Sequence, residues 1–121
     1  MQSEWITHKG KRIFCSNLSG FHTDIEALGA ELDGAGDAIC QQPENSVLVL
    51  VDIRNTVGST QVVQFLKNSS LRTKKHVRKT ATIGVSGFRK VLLDAINRFS
   101  GRNVILFDDL DAAKDWLAGP D

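Results

Sequence analysis

Residues 80–119 alternate between two kinds of pattern, and that alternation restricts the chain to one fold class. TATIGV is a β-branched apolar run, SGFRKVLLDAINRFSG is amphipathic, RNVILF is apolar again, and DDLDAAKDWLAG is amphipathic once more. Short apolar runs read as strands and segments with apolar residues three and four apart read as helices, so the order is strand, helix, strand, helix. A chain built this way is α/β. Its functional groups are expected on the loops that leave the strand C-termini, here Asp52 to Thr60 and Gly84 to Lys90.

The N-terminal half extends the pattern. EWITH and RIFCSN, joined at Lys9-Gly10-Lys11, form a hairpin signal in which the glycine takes the unusual turn angles. Thr23 with Glu26 three residues on reads as a capping box. Ile25, Leu28, Leu32, Ala35 and Ile39 then trace one helix face as far as Gln42, and Pro43 ends it. Gly29, Gly34 and Gly36 weaken this helix, by about 1 kcal/mol each relative to alanine. VLVLVDI, residues 47–53, is apolar on both faces, as a central strand covered on two sides must be. Ser59 caps a further helix that fades between Lys67 and Lys75. The expectation is one domain over residues 1–121 in the order β-β-α-β-α-β-α-β-α. It has a five-stranded, mostly parallel sheet with an N-terminal hairpin and about four helices.

Composition narrows the class. With 121 residues, 41% hydrophobic and 24% charged, the chain is long enough to bury a core and too apolar to be disordered. No apolar run reaches the eighteen or so residues of a membrane span, and MQSEWITHKGK has no apolar centre of a signal peptide. A cytoplasmic protein without stable membrane insertion is expected, with Cys15 and Cys40 reduced.

The net charge of +1 conceals a partition. Residues 53–93 carry nine Lys or Arg and no Asp or Glu, whereas residues 1–52 hold eight acids against three bases and residues 94–121 six against three. Nucleic acid is not the expected partner, because the basic residues lack interleaved aromatics and the flanks neutralise them.

No catalytic constellation emerges. Gly84-Val85-Ser86-Gly87 departs from a nucleophile elbow by one residue, and His8, His22 and His76 all precede Ser86, the reverse of the order such hydrolases use. The histidines and cysteines lack metal-ligand spacing, so neither metal nor cofactor is expected. What the pattern offers is binding. Helix N-termini at Ser59-Thr60 and Ser86-Gly87, with Arg54, Arg89 and Lys90 nearby, form an edge suited to a small anion. Asp52 stands at the same edge as an acceptor for loop amides.

WITHKGKRIFC, QPENSVLVLVDIRNT and above all VSGFRKVLLDAINRFSGRNVILFDDLDAAKDWL, taken with the element order, resemble the STAS superfamily in its SpoIIAA-like branch, a group of bacterial and archaeal proteins that is also compared with the CRAL-TRIO lipid-binding fold. The resemblance spans nearly the whole chain. It implies a non-enzymatic regulatory or protein-interaction module, with a protein partner or self-association. The CRAL-TRIO comparison implies as the alternative a small carrier of an apolar or amphipathic ligand, and the glycine-rich first helix suits it. In anti-sigma-factor antagonists a serine at the start of the helix after the central strand is phosphorylated, within Asp-Ser-Ser-Gly. The resemblance implies Ser59 as the phosphoacceptor, although Val57-Gly58-Ser59-Thr60 lacks both the aspartate and the following glycine.

Overall fold

The computed structural model describes residues 1–84 and 104–120. Five strands form one mixed sheet in sequential order: β1 (Glu4–His8), β2 (Lys11–Asn17), β3 (Val47–Asp52), β4 (Val77–Ile83) and β5 (Val104–Phe107). The hairpin pair β1–β2 is antiparallel, and β2–β3, β3–β4 and β4–β5 are parallel. Three helices are described: α1 (Ile25–Cys40), α2 (Thr60–Thr73) and α3 (Leu110–Ala118). The helix expected from Ser86 onward lies outside the described residues.

Sidedness follows from the period-two alternation of the strands. On one face Phe14, Val47 and Val49 pack with Ala35 and Ile39 of α1, and Leu28 and Leu32 of α1 pack with Val62 of α2 around Leu18 and Ile53. On the other face Ile13, Leu48, Leu50, Ala81 and Ile83 meet Ala113 and Leu117 of α3. β3 therefore buries both its faces, which is why VLVLVD contains no polar residue before Asp52. Each large side chain buried here contributes about 1.5–3 kcal/mol.

Local sequence places the element ends. Lys9 and Gly10 both adopt positive φ (50° and 79°), the geometry of a two-residue hairpin loop matched to strand twist. The N-cap of α1 is Asp24, whose carboxylate accepts from the Ala27 amide, and not Thr23: the expected capping box is one residue out of frame. α1 stops at Cys40, two residues short of Gln42, and β4 begins at Val77, ahead of the expected TATIGV. Ser59 caps α2 as expected, accepting from the Val62 amide at 3.2 Å.

The glycines of α1 have a packing role that composition does not reveal. A Cβ on Gly29 would stand 3.5 Å from the Phe65 ring, and one on Gly36 would overlap the Arg72 guanidinium. These pairs lie seven residues apart on each helix, so α2 lies along the bare stripe of α1. Arg72 crosses that stripe to pair with Asp37.

The ladder between β3 and β4 is interrupted once. Val47 pairs with Val77 and Leu48 with Lys79, so Arg78 is the extra residue of a bulge. The bulge sends Lys79 to the α3 face, where its buried ammonium donates to the carbonyls of Trp116, Gly119 and Pro120 at 3.0–3.2 Å and closes the C-terminal end of α3.

Candidate functional site

At the strand C-terminal edge the β2–α1 and β3–α2 loops are zipped together. The amides of Leu18, Gly20 and His22 donate to the carbonyls of Asp52, Arg54 and Asn55, and the Val57 amide donates back to His22. Thr56 seals the seam, its hydroxyl donating to the Leu18 carbonyl at 2.6 Å and accepting from the Phe21 amide. His22 and Asn55 adopt φ of 53° and 58°, a conformation that the reciprocal bonds hold in place.

Two of the expected site residues at this edge, Asp52 and Arg54, are engaged with each other. Asp52 is buried, and its Oδ1 accepts from the Arg54 amide (3.1 Å) and Nε (3.0 Å) while Oδ2 accepts from the second guanidinium nitrogen at 2.8 Å. The hydrogen bonds from Arg54 and the charge attraction raise the guanidinium pKa further above its ordinary value. Arg54 thus serves the carboxylate beneath it. Ser59 Oγ is occupied as the helix cap, and Thr60 is exposed in the first turn. Gly84 closes against this edge with φ of 87°, where a Cβ would stand 2.6 Å from the Arg54 backbone nitrogen. Ser86, Gly87, Arg89 and Lys90 lie outside the described residues.

A second feature was not found in the sequence. Among the described residues, α1, α2 and the β3–β4 face enclose a cleft of about 630 Å³. Leu32, Ile39, Val49, Val51 and Leu66 supply apolar walls, Thr80 and Thr82 a polar strip on the sheet, and Lys74, Lys75 and Arg78 the end nearest the strand N-termini. The volume falls in the range of small-molecule sites, and so does the mix of apolar wall and few polar groups. The signal available beforehand was the polar alternation Thr80-Ala81-Thr82, which leaves hydroxyls on a face that neighbouring strands fill with Val and Phe.

Elsewhere the reactive groups are structural. Both cysteines are free, and burial, with Asp52 and Glu4 adding, raises the Cys15 pKa, which suppresses its thiolate. No group of three or more His, Cys, Asp or Glu is placed to hold a metal among the described residues, and no described helix is long and apolar enough to cross a membrane.

No family model, curated protein or solved structure matches the chain.

Proposed function

We infer that the chain is a non-enzymatic binding module whose ligand, apolar or amphipathic, occupies the cleft beneath α2. The observation that carries this reading is the cleft itself: about 630 Å³, walled by aliphatic side chains and basic at one end. That division of surface suits a molecule with an apolar body and an anionic head. The C-terminal edge is the weaker candidate, since Arg54 is held by Asp52 and Ser59 by the Val62 amide. Titration with laurate, followed by amide shifts, tests it. Saturable shifts at residues 49–51, 66–75 and 80–82 are expected, together with a copurified ligand in native mass spectra of protein from its host. Absence of both would refute a carrier role.

The alternative is a regulatory or protein-interaction module of the STAS type. In its favour is Val57, 52% exposed and two residues before Ser59, on the loop where the resemblance locates partner recognition. Sedimentation of the wild type and Val57→Glu tests self-association through this loop: a dimer abolished by the substitution supports it, and a wild-type monomer counts against it.

A further inference from the structure

The sheet floor of the cleft carries buried hydroxyls that the fold does not use. Thr82 of β4 and Ser16 of β2, only 5% and 4% exposed, both line the cleft, and neither side chain has a hydrogen-bond partner among the described residues. Ser16 pairs with Val51 and Val51 with Thr82, so the three form one row across the sheet on the face that α1 and α2 cover. Thr80, two residues earlier in β4, shares that face and also lines the cleft. Buried polar groups ordinarily have partners, because leaving one without is costly. Among the described residues no fully enclosed side-chain oxygen or nitrogen lacks one, so these hydroxyls open on the cleft itself, within reach of an occupant.

The row lies far from the basic end. Lys74 and Lys75 lead into β4, and Thr82 is five residues beyond Val77, a span of about 16 Å at the usual rise of a strand. Thr82 is flanked on the neighbouring strands by Val51 and Leu106, and no cation stands in that row. A carboxylate placed there would be a buried charge without a counter-ion, whereas a neutral oxygen would meet a matching hydroxyl. Ser16 is two strands from Thr82, about 9–10 Å, so a single ligand oxygen bonds one or the other. Thr82 is the better placed, because its neighbour on the same face is Thr80, whereas that of Ser16 is Phe14.

We propose that the ligand of the cleft is a long-chain acid with a hydroxyl at its far end, the carboxylate lying toward Lys74 and Lys75 and the hydroxyl bonded to Thr82. This rests on the carrier reading and narrows it from any amphipathic molecule to an ω-hydroxy acid. The apolar body fills the space between Leu32, Ile39, Val49, Val51 and Leu66. A plain fatty acid would set its terminal methyl against the threonine hydroxyls and leave them unsatisfied.

The test compares three ligands of one chain length by amide-shift titration: laurate, ω-hydroxylaurate and dodecanedioate. ω-Hydroxylaurate should bind about fivefold more tightly than laurate, the worth of one hydrogen bond, with its additional shifts at residues 80–82. Dodecanedioate should bind no more tightly than laurate. Thr82→Val keeps the shape of the side chain and removes the hydroxyl, so the ratio of the hydroxy-acid and laurate affinities should fall to about one. A merely structural role for Thr82 would leave that ratio alone. Equal affinities in the wild type, an unaltered ratio in Thr82→Val, or tightest binding of dodecanedioate would each overturn the hydroxyl site while saturable laurate binding left the carrier reading standing. If none of the three ligands saturates, both readings fall.

Discussion

The Lys79 ammonium lies 3.0 Å from the carbonyl oxygen of Trp116 and 5.1 Å from the centre of the same residue's indole ring. One side chain of β4 thus satisfies the free carbonyls at the C-terminal end of α3 and packs under the only aromatic residue of that helix. Lys79→Met keeps the apolar stem and removes the donor, leaving buried carbonyls without their donor. A loss of about 1–3 kcal/mol is expected, with faster hydrogen exchange confined to α3. An unchanged urea midpoint would show that water replaces the ammonium at no cost.

Glu31 ties the N-terminal residues to α1. Its carboxylate accepts from the Gln2 amide (3.1 Å), the Ser3 amide (2.9 Å) and the Ser3 hydroxyl (2.5 Å). Burial by itself would raise the pKa, but the hydrogen bonds outweigh it and hold the group below the ordinary glutamate value of 4.5. The stabilisation is therefore complete above about pH 4.5, the unfolded value, and declines as pH falls from there through the lower folded value. Glu31→Gln should cost about 1–2 kcal/mol at pH 7. The difference from wild type, measured by urea unfolding, should shrink on acidification; a gap that widened would reverse the assigned sign.

Two glycine substitutions should move stability in opposite directions. Gly29→Ala adds a methyl at ordinary contact distance from the Phe65 ring and removes a helix-interior glycine, so a gain of about 0.5–1 kcal/mol is expected. Gly84→Ala combines a φ of 87° with a clash against the Arg54 backbone and should destabilise by more than 1 kcal/mol. Thermal melting of both variants decides the matter, and a stable Gly84→Ala protein would refute the close approach.

Ser59→Ala should lose about 1 kcal/mol, while Ser59→Asp keeps the cap and adds a favourable charge at the helix start. Chemical denaturation of the two variants checks this. If Asp proved as costly as Ala, the hydroxyl would have some role beyond accepting from the Val62 amide.

Element order was readable because period-two and helical patterns differ sharply in this chain. VLVLVDI announced the central strand, and Ser59 announced the start of α2. Boundaries were less legible: Thr23 and Asp24 are both competent caps, and only the course of the loop zipped to Asn55 and Thr56 selects the second. Half of the expected anion edge lies outside the described residues, and in the other half the sequence does not say that Arg54 turns back onto Asp52 two residues away. The glycines of α1 looked like weakness because their partners, Phe65 and Arg72, are 36 residues further along the chain. The cleft was hard to see for a related reason, being made of spaces between side chains that the local pattern records only through Thr80 and Thr82.

Arg78 has a consequence for how the chain tolerates length changes. Val77 already stands opposite Val47 and Lys79 opposite Leu48. Excision of residue 78 would join two neighbours whose side chains point to opposite faces, as an unbroken strand requires. The shortened chain should still fold, whereas loss of Val77 would put Arg78 in its place opposite Val47, and loss of Thr80 would put Lys79 opposite Val49 on the α1 face. A deletion at residue 78 is thus absorbed by the bulge, with the pairing on both flanks left in register.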